Sequence, residues 1–492
     1  GLIYARERSM ETRINSTSSQ ISFSSEAFPL WLILWGWFQS LLLYLEELAQ
    51  ENQQLRTQII ALEEQLKQNS SNSSRPPSSD SPYQKPSLDS EKKSDSSSED
   101  NSPQKKKKRG ALPGHEGHGP QLLPPSYEIP IHPTICACGC EEFRDPRIYY
   151  THQQVELPPI ALEVTHFHLY SALCVACHKE VKSTLPAEHQ TGYGPRLTAY
   201  IGELAGINRL SRSTIQQHLS SLFGLSISQG TLQKVIDRVS TALGPHYEAI
   251  GQIAGEQEVN YIDETPWFQR GSLLWLWVMV SARVGFFKIH AHRSKEAFHA
   301  LIGAWRGILV SDDYGTYVQW VHGRQTCLAH LIRRAQAFLE SSLEEEQEFG
   351  SKVKTLLQQL CLWAKSPPCD EAMEQWQHQF YEIISRYTSQ PGKMGTFARR
   401  LEREWLNLWA FMIKEGIEPT NNRAERALRF GVLWRKMSQG SDTPKGNQWV
   451  ERILSFRETA RLQGKETYPL LVEALEAYFS GRQPDLTWIE NA

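Results

Sequence analysis

Residues 257–312 read QEVNYIDETPWFQRGSLLWLWVMVSARVGFFKIHAHRSKEAFHALIGAWRGILVSD, and the spacing of apolar residues along them decides the fold of the chain's centre. Residues 258–262 are a strand-like run that ends on Asp263, and residues 273–280 and 285–290 are two more, separated by a short turn. Residues 294–305 carry helical spacing behind Ser294, a good N-cap. A fourth strand, residues 307–311, ends on Asp312; another lies near residues 325–327, and a helix follows from Ala329. The order is strand, strand, strand, helix, strand, strand, helix. It brings Asp263 and Asp312 to the same end of neighbouring strands.

Each aspartate has an acidic neighbour, Glu264 and Asp313, and alternation sends adjacent strand side chains to opposite faces. Only one of each pair can enter a shared site, and periodicity does not choose between them. A third carboxylate, Glu425, lies in the helical run NNRAERALR at residues 421–429. Asn422 followed three residues later by Glu425 has capping-box spacing. The arginines Arg423, Arg426, Arg429 and Arg435, with Lys436, also suit the helix to phosphate. Two strand-end aspartates and a helical glutamate are hard oxygen donors that suit paired Mg²⁺ or Mn²⁺ ions for phosphoryl transfer. Residues 331–413 read as a helical insertion whose Trp363, Trp376, Trp405 and Trp409 belong to its core. The expected core is α/β, of ribonuclease-H-like type with a helical insertion.

The chain has 492 residues, a formal net charge of −3 and a pI near 6.6, so it holds several units and shows no global nucleic-acid signature. Contact with DNA must come from local patches such as Lys105, Lys106, Lys107, Lys108 and Arg109. This run closes a Ser-, Pro- and Asn-rich linker with little to bury. Upstream, Leu45, Leu48, Asn52, Leu55, Ile59, Leu62 and Leu66 follow the a/d steps of a coiled coil; Asn52 at a and leucines at d favour a parallel dimer. Residues 28–45 are uncharged and approach the length of a membrane span, yet they run straight into the heptads, and no membrane partner is expected.

Five of the eight cysteines fall between positions 136 and 177, which points to zinc in a reducing compartment. Cys136 and Cys138 with Cys174 and Cys177 are the favoured Zn²⁺ ligands. Cys140, His166, His168 and His178 stay open as alternatives. Residues 195–205, 211–222 and 228–238 are three helical stretches, with Ser211 and Ser228 as N-caps and Gly206 and Gly224 as punctuation. The last two resemble a helix-turn-helix, and Gln229, Thr231, Gln233 and Lys234 are placed to reach DNA.

From about Leu45 to Gly464 the chain resembles the IS sixty-six family of bacterial insertion-sequence transposases. The matching pieces, in order, are residues 69–80 (NSSNSSRPPSSD), 108–110 (KRG), 113–118 (PGHEGH), the cysteine module, 193–196 (YGPR), 263–265 (DET), 311–314 (SDDY), 327–330 (CLAH) and 421–429 (NNRAERALR). The resemblance implies a catalytic Asp, Asp, Glu triad whose motifs fall on Asp263, Asp312 and Glu425. It implies Mg²⁺-dependent cleavage and strand transfer, with DNA (element terminal repeats and target) as substrate and element-encoded accessory proteins as further partners. Two departures stand out: Ile135 occupies the place of the first zinc-module cysteine, and Asp313 a place where the family has glycine.

The expected organisation is an N-terminal extension (1–40), coiled coil (41–68), linker with basic run (69–110), small zinc-binding module (111–185), helical DNA-binding segment (190–250), DDE core (255–464) and helical tail (465–492). The expected setting is cytoplasmic and nucleoid-associated, with homo-oligomers formed through the coiled coil. The alternatives are a nuclease that cuts without joining and an inactive or domesticated transposase that acts as a DNA-binding protein.

Overall fold

A computed structural model of the chain describes residues 30–67 and 122–490. The linker, the basic run Lys105 to Arg109 and most of the N-terminal extension lie outside the described residues. The first element is a 38-residue helix, α1 (Leu30–Lys67). Its heptad residues Leu45, Leu55, Ile59 and Leu62 are exposed, and the Asn52 side-chain amide donates to the Leu48 carbonyl at 3.2 Å. No helix among the described residues is long and apolar enough to cross a membrane.

The cysteines sit in two tight turns. The strands β1 (Ser171–Leu173) and β2 (Glu180–Lys182) pair antiparallel. Between them, Cys174 N donates to Lys179 O and His178 N to Cys174 O, with His178 in the left-handed region at φ 56°. The upstream turn is one residue shorter: Cys136 N donates to Cys140 O and Gly139 N to Cys136 O, with Gly139 at φ 87°. Residues 164–169 alternate apolar and polar in sequence yet form no strand, and Val164, Phe167 and Leu169 are exposed.

The helices α2 (Pro195–Gly202), α3 (Arg212–Phe223), α4 (Gln229–Ala242) and α5 (Gly244–Glu256) follow. As their sequence requires, Ser211 Oγ accepts from Thr214 N and Ser228 Oγ from Thr231 N, and Gly224 at φ 64° ends α3. α4 runs four residues past the expected end, because Val239 and Ala242 continue the buried stripe of Leu232 and Val235. Gly206 lies in a π-turn (Glu203–Ile207) that extends α2, where an added Cβ would come within 2.5 Å of Ile453 and 2.9 Å of Trp449.

The strand β3 (Val259–Gln269) continues through Asp263 rather than ending there. Thr265, Trp267 and Phe268 are good strand formers, and Pro266 does not interrupt them. Next come β4 (Ser272–Val280), β5 (Gly285–His290) and α6 (Lys295–Ile302), whose N-cap is Ser294 as expected. Then follow β6 (Ile308–Ser311), the single turn α7 (Gly315–Val318), β7 (Arg324–Thr326) and α8 (Leu328–Leu339). The helical insertion comprises α9 (Glu344–Trp363), α10 (Asp370–Thr388), α11 (Gly392–Arg403) and the short α12 (Ala410–Ile413). The chain finishes with α13 (Asn422–Ser438), α14 (Pro444–Leu462), α15 (Thr467–Ser480) and α16 (Thr487–Glu490).

Two compact units share this chain, and the division passes through β3 and α13. One takes α1, Gln257–Asp263 and Trp305–Arg426; the other takes the cysteine turns and helices before β3, then Glu264–Ala304 and Ala427–Ala492. In the first unit β3, β6 and β7 are parallel, with Tyr261 opposite Val310 and Ser311 opposite Thr326. The insertion packs there through Phe349, Trp376, Phe380 and Phe397, and of its four tryptophans Trp376 is almost fully buried.

In the second unit β4 and β5 pair antiparallel, from Trp275 opposite His290 to Val280 opposite Gly285. α14 covers the outer edge of β5, where Ser455 Oγ accepts from Phe287 N at 2.9 Å and Glu451 Oε1 from Ile289 N at 2.7 Å. On α5, His246 is fully buried against the rings of Phe456 and Trp488, and burial pulls its pKa from 6.5 down to about 4. Because the folded state holds this imidazole neutral, its contribution of about 3 kcal/mol is complete above pH 6.5 and is lost as pH falls toward 4. The His246→Leu variant should therefore show a flatter loss of denaturation midpoint between pH 6.5 and 4. Equal slopes for the two proteins would contradict this.

Candidate active site

The two aspartates belong to neighbouring parallel strands. The register pairs Tyr261 with Val310, each two residues before its aspartate, and Asp312 is the first residue after β6. Asp312 Oδ1 accepts from Tyr314 N at 3.0 Å, which fixes the carboxylate where the chain leaves the sheet. Both aspartates are half-buried.

The third carboxylate arrives by a stitched loop. Tyr261 OH accepts from Glu418 N at 2.8 Å, Leu328 N donates to Pro419 O at 3.0 Å, and Asn421 N donates to Cys327 Sγ at 3.1 Å. The Asn421 side-chain amide donates to Ile262 O at 2.9 Å, one residue before Asp263. These bonds tie the start of α13 to the first half of β3 and to the residues just after β7, and Glu425 sits in its first turn. Asn422 was the expected N-cap, but the helix begins at Asn422 itself. The preceding residue, Asn421, is buried and directs its amide to the sheet.

Glu425 Oε1 lies 3.2 Å from Arg333 Nη2 and 3.8 Å from His330 Nδ1. The same Arg333 nitrogen is 3.2 Å from His330 Nε2. A guanidinium can only donate, so His330 Nε2 is the acceptor and the ring proton sits on Nδ1, facing Glu425. Burial, reinforced by Arg333, pulls the His330 pKa down to about 4 against the pull of Glu425, so the ring is neutral near pH 7. Among the described residues, the one set of three His, Cys, Asp or Glu side chains with ligating atoms all within 4.8 Å of one another is Cys327, His330 and Glu425. Burial pushes the Cys327 thiol up to about 12, and its sulfur already accepts from Asn421.

The acidic neighbours are engaged by arginines. In the first unit Asp313 pairs with the buried Arg400 at 2.5 Å and with Arg334 at 3.9 Å. In the second unit Glu264 accepts from Arg293 Nε at 2.5 Å. Close to Asp313, Arg324 forms a buried ion pair with Glu404, to which Thr326 Oγ1 also donates at 2.7 Å. Burial lowers the pKa of Arg324 and of Arg400 to about 10, which leaves both charged at neutral pH.

The other predicted site residues are dispersed. Gln229 and Lys234 are exposed on α4, whereas Gln233 is held between Arg212 and Asp237. Arg426 lies 3.9 Å from Glu418, and Arg429 is exposed. Cys136, Cys138 and Cys177 are exposed and Cys174 partly so. Hydrogen bonds from Cys138 and from Cys177 lower the pKa values of Cys136 and Cys174 respectively. Sequence reasoning gave no role to His330 and Arg333, although their i, i+3 spacing at the start of a helix places them on one face.

Residues 190–449, more than half of the chain, match the family described as "Transposase IS66 family". The chain belongs to the IS66 transposase family. Its matched segment contains Asp263, Asp312, His330, Arg333 and Glu425, and membership gives a transposase whose partner is DNA. Residues 23–121 match a second family, one of unknown function. A relative of this IS66-family chain is an uncharacterized protein, y4jD, of Sinorhizobium fredii (strain NBRC 101917 / NGR234). It is 23% identical over 401 residues, which cover 73% of this chain and 77% of the relative.

Proposed function

We propose that the chain is a DDE-type transposase that nicks DNA at the ends of its element to free 3′-hydroxyls and joins them to target DNA. The observation that carries this reading is the stitched loop, which ties the residues before Glu425 to β3, the strand that bears Asp263 and pairs with β6 just before Asp312, all within one compact unit. The donor set fits Mg²⁺ or Mn²⁺, since all three side chains are carboxylates; the nearby Cys327 thiol is protonated and occupied by a backbone amide. Asp263, Asp312 and Glu425 would hold the ions, which supply Lewis-acid activation of water and of the attacking 3′-hydroxyl. Asp312 is oriented by the Tyr314 amide and Glu425 by Arg333. No side chain serves as nucleophile, so no covalent protein–DNA intermediate forms.

The strand order and the aspartate positions support a ribonuclease-H-like core. The two knuckle-like turns support one Zn²⁺ held by Cys174, Cys177 and two of Cys136, Cys138 and Cys140. The exposed heptad face of α1 supports a parallel dimer. DNA would be held by Lys105 to Arg109, by Gln229 and Lys234 on α4, and by Arg426 and Arg429 on α13.

The test is to mix purified protein with duplexes that carry the inverted repeats flanking the gene, in Mg²⁺ or Mn²⁺. Nicks that leave 3′-hydroxyls, and joined products with plasmid DNA, are expected, and EDTA should abolish both. Cleavage that survives EDTA, or DNA left covalently on the protein, would overturn the reading.

A further inference from the structure

We propose that His330 and Arg333 are positioning residues for the third carboxylate, a two-residue brace on α8 that aims Glu425; this rests on reading Glu425 as a metal-holding residue. Glu425 is long, partly exposed and lies on the first turn of a helix, so its backbone restricts χ1 but does not fix where the carboxylate points. Arg333 donates to Oε1 at 3.2 Å, and His330, whose Nε2 accepts from that same guanidinium nitrogen, backs the arginine and turns its Nδ1 proton toward Oε1 at 3.8 Å. Both donors converge on one oxygen and leave Oε2 for another partner. His330 Nδ1 is buried with no hydrogen-bond partner, so a small movement of Glu425 toward the ring would complete the brace.

The cluster is poorly suited to hold a cation by itself. The Arg333 guanidinium stands 3.2 Å from both His330 and Glu425, and Cys327 Sγ is committed to Asn421. Partners that hydrogen-bond a ligating carboxylate fix its direction and thereby tune metal affinity.

The experiment compares full-length wild type, Arg333→Ala, Arg333→Lys, His330→Ala and Glu425→Gln. Mn²⁺ binding is read by electron paramagnetic resonance without DNA, and the Mn²⁺ dependence of cleavage is read separately from its plateau. Arg333→Ala should raise the half-saturating Mn²⁺ concentration about 10- to 100-fold in both assays while affinity for the element ends is unchanged. Arg333→Lys, which keeps a charged donor, should recover most of the loss, and His330→Ala should move the same way by a smaller factor. A folded Arg333→Ala protein with unchanged or tighter Mn²⁺ binding overturns the brace, as does a loss of DNA affinity in place of metal affinity. Should Arg333→Ala fail to fold, Arg333→Lys and His330→Ala decide the matter through the same metal curves. If Glu425→Gln alone weakens Mn²⁺ binding and cleavage, the brace fails and the role of Glu425 stands. If Glu425→Gln alters neither, the reading of Glu425 fails first.

Discussion

Asp263→Asn, Asp312→Asn and Glu425→Gln are each expected to slow strand cleavage about a thousandfold or more, because a lost metal-holding charge removes several kcal/mol of transition-state stabilisation. Each substitution keeps the size of the side chain and removes only its charge. Affinity for the element ends should stay within a few-fold of wild type, since the proposed function assigns it to the basic residues. Glu264→Gln and Asp313→Asn look like neutral controls by strand alternation, and the structure corrects that expectation. Asp313 neutralises the buried Arg400, and Glu264 pairs with Arg293, so both controls should keep the metal dependence of cleavage while they lose stability. Cleavage and denaturation midpoints measured on the same five preparations separate the two effects. Full cleavage by all five would end the three-carboxylate reading.

Glu404→Ala should destabilise the first unit by about 3–5 kcal/mol, the cost of leaving a buried charge without its partner. The side chains of Arg324 and Glu404 are only 2% and 1% exposed, and Thr326 and Asn407 also donate to the carboxylate. With Glu404 removed, Arg324 stays charged with no water to solvate it. The double variant Arg324→Met, Glu404→Leu should be more stable than Glu404→Ala, because it removes both charges and preserves volume. Urea denaturation of the three proteins measures the difference; a loss under about 1 kcal/mol for Glu404→Ala, the range of an exposed pair, would show that solvent reaches the site.

Local signals in the sequence were read well where one mechanism governed them. Ser211, Ser228 and Ser294 cap the helices they precede, and the order of strands and helices from β3 to α8 follows the hydrophobic spacing. The end of β3 was misjudged because its second half continues beside β4, its hydrogen-bonded neighbour in the sheet, which the spacing of residues 258–262 does not contain. Asn422 fitted a cap by spacing, yet Asn421 precedes the helix and bonds to a strand 159 residues away in sequence. The i, i+3 spacing of His330 and Arg333 is legible in the sequence, but their role is not, for the same reason: their partner Glu425 lies 92 residues beyond Arg333, and only the tertiary fold joins them.

The stitched loop also has a consequence for the timing of synthesis. Asp263 and Asp312 leave the ribosome well before residues 418–425, and the whole helical insertion must be made before the loop can be tied to β3 and β7. A nascent chain, or one cut short by a frameshift upstream of Asn421, would carry the helices before β3 and two aspartates but not Glu425 or the loop that places it. The proposed cutting capacity would then be switched on late, by the last tie rather than by the first strand.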